Sequence, residues 1–353
     1  MPVKVVILGT SNSVMRVGYV SGLARTDGID IIANTSVGSS HSVMVPLLAR
    51  DEVLAESDFV IVDLTINEQR ALHRRLYNLD TMRDIFLYIL EKCRRCSVIP
   101  VFLLMPMQLY EDSYAIIAEY KALCERYGVL YFDPADLVKA EAARLQRSWQ
   151  DMFADQHHLT PEMAEWVGGL LGEALKGADL STHEEVRLAC PQFEFAAAAP
   201  FAGELGVIDR STNLISASFV DMTPGNSFAM SVAPDAAVVG IVLNMSRTNA
   251  NLRLEGQTRV VKRLNQPYFN LRTTLRLVVW QLITPVQAKD GRIVMTCEAD
   301  SPKAKVESND HFAQRTVFSA DPQAEIAGLI LRTGAVTTGF VWRPFHQPNM
   351  AAL

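Results

Sequence analysis

The chain has 353 residues, enough for two domains or three, with 49% hydrophobic and 20% charged residues, which excludes a largely disordered polypeptide. The formal net charge is −6 and no Lys/Arg-rich block occurs, which argues against a nucleic-acid partner. Five cysteines, an odd number in a chain this long, form no disulfide framework and suit a reducing compartment.

The N-terminus runs from Met-Pro-Val-Lys straight into Val5-Val6-Ile7-Leu8 without the apolar core of a signal peptide, so the expected location is the cytoplasm. Val3–Leu8 reads as the first strand, followed by Ile29–Ala33, Phe59–Leu64, Val98–Leu104 and Val129–Phe132. Such short, continuously apolar runs suit strands buried on both faces, as in a parallel sheet. Helical patterns lie between and after them, at about 42–56, 68–95, 112–127, 134–149 and 160–176. Thr160-Pro161 has the form of an N-cap followed by proline at the first helical position. Val98–Met107 is too short to span a bilayer and contains prolines, so no membrane span is expected. Five βα units in succession predict a doubly wound α/β domain over 1–180.

The texture changes at Lys176–Pro200, and 181–195 reads as a linker. Beyond it come short β-rich runs at Ser216–Val220, Ser227–Val232, Val238–Met245, Arg259–Leu264, Thr274–Leu282, Arg292–Cys297, Arg315–Phe318 and Glu325–Arg332. Turn residues such as Lys289-Asp290-Gly291 and Thr333-Gly334 punctuate them, which predicts an all-β sandwich or jelly-roll-like domain over 196–353.

Ligands of open α/β sheets collect where strands end. After the first strand stands Gly9-Thr10-Ser11-Asn12-Ser13, after the second Val37-Gly38-Ser39-Ser40, and after the third Thr65-Ile66-Asn67-Glu68. Beyond the fifth strand and its helix stands Asp155-Gln156-His157-His158. These four blocks, in this order, resemble the SGNH (GDSL-type) hydrolase family over roughly residues 3–176. The resemblance implies a flavodoxin-like three-layer α/β/α sandwich and a serine esterase. It assigns Ser11 as nucleophile, His158 as general base and Asp155 as the residue that orients the imidazole. The oxyanion hole is expected from the Ser11 and Gly38 backbone N–H groups and the Asn67 side chain. The first block reads Gly-Thr-Ser where the family has Gly-Asp-Ser, and the third has Thr65 in place of a glycine and Glu68 in place of an aspartate.

Each residue also has a plainer reading. Ser11 and Asn67 are favoured helix caps, Gly38 suits a turn, and Asp155 suits a loop. Ser13 is a rival nucleophile. His157-His158 has no further ligand at metal spacing, so no metal or other cofactor is expected. His157 reads as a rim or packing residue, His41 as a polar surface residue with pocket lining as the alternative, and Arg70, Arg74 and Arg75 as a solvated face. Cys93-Arg94-Arg95-Cys96 is a lone CxxC near a helix end with no redox context.

The expected activity is removal of a small acyl group, acetyl on a carbohydrate being favoured. An acyltransferase on the same scaffold and a non-catalytic carbohydrate-binding or scaffold protein are the alternatives. The expected partner is a small-molecule or glycan ester, and the β domain offers a surface for homo-oligomers.

Overall fold

The computed structural model describes residues 2–110, 114–178, 184–212, 215–264, 275–299, 307 and 321–342. Strands β1 (Val3–Gly9), β2 (Ile29–Asn34), β3 (Phe59–Asp63), β4 (Ile99–Leu103) and β5 (Leu130–Phe132) form one parallel sheet in the order β2-β1-β3-β4-β5. Val5–Leu8 and Phe59–Val62 are buried, as their unbroken apolar runs require. In this strand order the connection changes direction between β1 and β3, which opens a crevice at the carboxyl ends of these two strands.

The helices are α1 (Ser11–Val14), α2 (Tyr19–Ala24), α3 (Val45–Leu48), α4 (Asp51–Leu54), α5 (Thr65–His73), α6 (Leu79–Arg95), α7 (Ala115–Tyr127), α8 (Ala135–Arg144) and α9 (Pro161–Lys176). Two expected helices are broken. The stretch 42–56 is a 3-10 turn and two single-turn helices, because Arg50 is extended (φ −85°, ψ 131°). The stretch 68–95 splits at Arg75, which is left-handed (φ 57°). A new helix then starts where the Asn78 side chain accepts the Thr81 N–H at 3.0 Å.

Helices α2 and α9 lie backbone against backbone. A Cβ on Gly168 would fall 1.9 Å from the Tyr19 carbonyl oxygen, and one on Gly22 would fall 1.8 Å from that of Glu165. Ser21 Oγ and Arg25 Nη1 donate to the two Glu165 carboxylate oxygens at 2.9 and 2.7 Å. Because α2 belongs to the segment after β1 and α9 to the segment after β5, this contact ties the two site-bearing loops together. Gly168→Ala is expected to destabilise the fold by about 1–3 kcal/mol, since a backbone atom cannot move aside as a side chain can. Gly169→Ala, where a Cβ meets nothing within 4 Å, is expected to be neutral or to stabilise the helix by about 0.5–1 kcal/mol. Urea unfolding of the two variants checks the contrast; equal midpoints would contradict it.

The second domain is antiparallel. Its strands are β6 (Glu184–Ala197), β7 (Val207–Ser211), β8 (Ser216–Met222), β9 (Ser227–Ser231), β10 (Ala237–Asn244), β11 (Asn251–Glu255), β12 (Arg259–Arg263), β13 (Leu277–Gln287), β14 (Arg292–Glu298) and β15 (Ala324–Trp342). One sheet runs β13-β10-β15-β8-β7 with β6 also paired to β15, and the other runs β12-β11-β14-β9. Trp280, Leu252, Leu254, Ile293 and Met295 are among the side chains buried in its own core.

The segment 181–195, expected as a linker, is mostly strand: β6 pairs with β15 from Glu184↔Trp342 to Ala197↔Gly328. Its apolar positions change phase at Pro191-Gln192, which breaks the alternation by which a strand is recognised. Thr333-Gly334, expected as a turn, lies within β15 as a bulge, with Gly334 at φ 44°. The expected strand Arg315–Phe318 lies outside the described residues. The core of the α/β domain continues into the second domain through Phe193, Phe219 and Val279, with the Phe193 and Tyr88 rings edge to face at 5.5 Å. Among the described residues no helix is long and apolar enough to cross a membrane.

Candidate functional site

Ser11 is the first residue of α1, directly after β1, and is half-buried. Gly9 allows the tight turn before it, because a Cβ there would fall 1.9 Å from Ser13 Oγ. The loop after β2 is laid along the end of β1: Thr35 N–H donates to Ile7 O, and Val37 N–H to Gly9 O, both at 3.0 Å. The Asn34 side chain also donates to Ser13 O at 2.7 Å. Gly38 is thereby set beside Ser11. A Cβ on Gly38 would lie 3.9 Å from Ser11 Cα and 3.8 Å from Val14 Cγ2, ordinary contact distances. Gly38 is absent from the positive-φ glycines, so neither packing nor backbone strain demands glycine at this position.

The Asp155–His158 loop is a small closed turn. Phe153 bridges Leu159, and Ala154 N–H donates to His158 O at 2.9 Å. Asp155 Oδ1 accepts the His157 and His158 backbone N–H groups at 2.7 and 3.0 Å, which curls the chain back on itself. The His158 ring therefore lies against the carboxylate, with Nδ1 2.8 Å from Asp155 Oδ2. On the far side of the ring, Nε2 is 2.9 Å from Ser11 Oγ. With the Nδ1 proton donated to Asp155, Nε2 is left to accept the serine proton. Thr160 then starts α9 by accepting the Met163 N–H at 3.3 Å. Burial raises the Asp155 carboxyl, but hydrogen bonds from the His158 ring and the His157 N–H outweigh it and hold the group below its ordinary range.

Asn67 is buried inside α5 and does not cap it; the cap position is Leu64. Its Nδ2 donates to Ser40 O at 3.2 Å, so it reaches the loop that carries Gly38.

Ser13, the rival nucleophile, has its hydroxyl engaged by other groups. Its hydroxyl donates to Asp63 Oδ2 at 2.8 Å and lies 2.7 Å from Tyr19 OH, which is left to donate. His157 is pushed down to about 4 by burial and by the nearby Arg70 and Arg74, so it is neutral at pH 7. Arg70 and Arg74 are thus half-buried beside the site, where a solvated face had been expected; Arg75 is exposed. His41, expected on the surface, is buried, with its ring edge-on to Tyr77 at 5.4 Å. Cys93 is buried and its thiol pushed up, as befits a packing residue. Among the described residues no group of three His, Cys, Asp or Glu side chains is arranged to hold a metal ion.

Sequence reasoning missed two buried acids. Asp63, at the end of β3, accepts Ser13 and the Thr10 backbone N–H beneath the serine turn. Glu68 accepts the Ser42 N–H at 2.9 Å, Tyr120 OH at 2.8 Å and a short bond from Tyr77 OH, anchoring the loop after Gly38. Burial pushes both acids up, and the hydrogen bonds they accept pull them partly back. The only sequence signal was their position: one closes the third strand, the other follows Asn67.

Burial lifts Asp63 from 3.8 to about 6. The folded chain keeps this proton where the unfolded chain has released it. The contribution of Asp63 to stability therefore falls as pH rises from about 3.8 to about 6 and is flat above. The gap corresponds to roughly 3 kcal/mol. Between pH 3 and pH 7, Asp63→Asn is expected to gain about that amount relative to wild type in urea unfolding; parallel pH profiles would contradict this.

Beside the site is a cavity of about 980 Å³ with walls from both domains. Val14, Ser36 and Gly38 line one side, and Phe195, Ser216 and Leu277 the other.

No family model and no curated protein matches the sequence. Solved structures do match. One is a two-domain esterase (CEX) active on acetylated mannans, co-crystallised with mannopentaose: 11% identity, 98% of this chain and 92% of that chain covered, TM-score 0.59. A second structure of a two-domain esterase (CEX) active on acetylated mannans gives 10% identity, 94% and 92% coverage and a TM-score of 0.61. TesA matches over 49% of this chain and 98% of its own, at 17% identity and a TM-score of 0.35. The likeness to the two-domain esterase spans both halves and is one of fold. This chain therefore shares the two-domain fold of those structures, a parallel five-stranded α/β domain joined to an antiparallel β domain.

Proposed function

We propose that the protein is a serine esterase that removes a small acyl group, acetyl in the first instance, from a carbohydrate. The observation that carries this reading is the unbroken line of contacts from Asp155 through His158 to Ser11. Ser11 Oγ attacks the ester carbonyl carbon while His158 Nε2 takes its proton. The carbonyl π electrons move onto oxygen, and the Ser11 N–H, the Gly38 N–H and the second Asn67 Nδ2 proton stabilise that charge. The tetrahedral species collapses, the C–O bond to the alcohol breaks, and His158 returns the proton to the leaving oxygen. Water then repeats the sequence on the acyl-enzyme and frees the acid. Asp155 keeps its charge throughout and stabilises the imidazolium.

Gly38 supports the reading from another side. Packing and φ leave the position open to other residues, which fits a glycine kept for access of the substrate carbonyl rather than for the fold. The carbohydrate part rests on analogy of fold with an esterase active on acetylated mannans, and on a neighbouring cavity large enough for an alcohol much bigger than the acyl group.

The test is turnover of an aryl acetate and release of acetate from an acetylated oligosaccharide. Both are expected. Acylated glycan formed from an acyl donor and a free sugar would favour transfer over hydrolysis. Glycan binding without turnover of either ester would favour the non-catalytic reading.

A further inference from the structure

We propose that the β domain forms part of the reaction site, through strand β13 holding the loop that carries Gly38, with Ser40 as the positioning residue. The proposal rests on the esterase reading above and gives the second domain a role in it.

The loop 38–42 is held from two sides. On the β-domain side, Val279 of β13 is bonded through both backbone groups: its N–H donates to Ser40 Oγ at 3.1 Å, and its carbonyl accepts the His41 N–H at 3.2 Å. Two residues on, Gln281 N–H donates to His41 Nδ1 at 3.4 Å. Just before the strand, Arg276 Nη2 reaches Ser39 Oγ at 3.5 Å. On the α/β side, Ser40 O accepts Asn67 Nδ2 at 3.2 Å and Ser42 N–H donates to Glu68 Oε1 at 2.9 Å. Ser40, His41 and Ser42 are fully or almost fully buried, so water does not compete for these bonds.

Ser40 is the point where the two sides meet. Its hydroxyl is fixed to β13, and its carbonyl is fixed to the same Asn67 amide that the esterase reading assigns to the oxyanion. Ser39, between Ser40 and Gly38, is in the left-handed region at φ 62°, which a serine adopts only when its neighbours hold it. A shift of β13 would therefore move Gly38 and Asn67 together. Donors aimed at a developing oxyanion act through their position, and displacement by a fraction of a bond length lowers the rate without altering ground-state binding.

The experiment is Ser40→Ala in the full chain, assayed on an aryl acetate well below its unfolding temperature. The variant removes the Val279 acceptor and leaves Ser11, His158, Asp155 and Asn67 in place. We expect kcat to fall about tenfold or more with KM within about twofold of wild type. Ser40→Thr, which keeps the hydroxyl, should recover most of the rate. Amide hydrogen exchange over 36–44 should quicken in Ser40→Ala and so report the loosened loop apart from catalysis. Unchanged kcat and unchanged exchange in a folded Ser40→Ala would overturn the proposal and leave the esterase reading standing. Equal changes in kcat and exchange in Ser40→Ala and a folded Ser40→Thr would also overturn it, as the mark of a packing role. Absence of turnover in the wild type would overturn the esterase reading and this one with it.

Discussion

Ser11→Ala is expected to lower kcat on an aryl ester by at least about ten-thousand-fold while leaving the fold intact. The alanine removes the oxygen that forms the acyl-enzyme, and the oxyanion donors and the cavity can still bind substrate, so KM should change little. Ser11 is half-buried at the start of a four-residue helix, and the helix cap position belongs to Thr10. Its hydroxyl faces His158. Stability should therefore stay within about 0.5 kcal/mol of wild type. Steady-state kinetics beside a thermal melt checks both halves. Retained turnover would remove Ser11 from the mechanism and return attention to Ser13, whose hydroxyl is committed to Asp63 and Tyr19.

The second large effect concerns the base. His158→Ala should cost about as much as Ser11→Ala, because the serine hydroxyl is a poor nucleophile without a proton acceptor. Ser11 and His158 act as one unit, so the double variant should be no slower than either single variant. Asp155→Asn is a gentler probe. An amide oxygen can still accept the His157 and His158 backbone N–H groups and preserve the loop, but it lacks the charge that steadies the imidazolium. A loss of about 10³–10⁴-fold is expected. Additive losses in the Ser11/His158 double variant would contradict the shared mechanism.

Much of this site was legible in the sequence because its parts are local. Each of Ser11, Gly38 and Asn67 follows a strand by a few residues; β1 and β3 announce themselves as apolar runs, and β2, which is only half-buried, as a shorter one interrupted by Asp30. Asp155 and His158 are three residues apart, and one tight turn brings their side chains together. Asp63, Glu68 and Ser40 were not legible, because each acts through partners remote in sequence. Asp63 meets Ser13 across the sheet, Glu68 meets Tyr77 and Tyr120 from other segments, and Ser40 meets Val279 in the other domain. The fold shows the same division. Strands β1 to β5 were foreseen within a residue or two. Strand β6 was read as a linker because its apolar phase changes at Pro191-Gln192, and it is a strand because β15 supplies the pairing. His41 looked like a surface residue because nothing nearby in sequence reveals that a strand from the second domain covers it.

The central claim, that Ser11 is a nucleophile activated by His158, is tested most directly by mapping a covalent adduct. The protein is exposed to a serine-directed fluorophosphonate, digested, and the modified residue located by tandem mass spectrometry, in wild type and in His158→Ala. The account predicts one adduct, on Ser11, that is lost in His158→Ala. An adduct on Ser13, no adduct at all, or undiminished labelling of Ser11 in His158→Ala would contradict it.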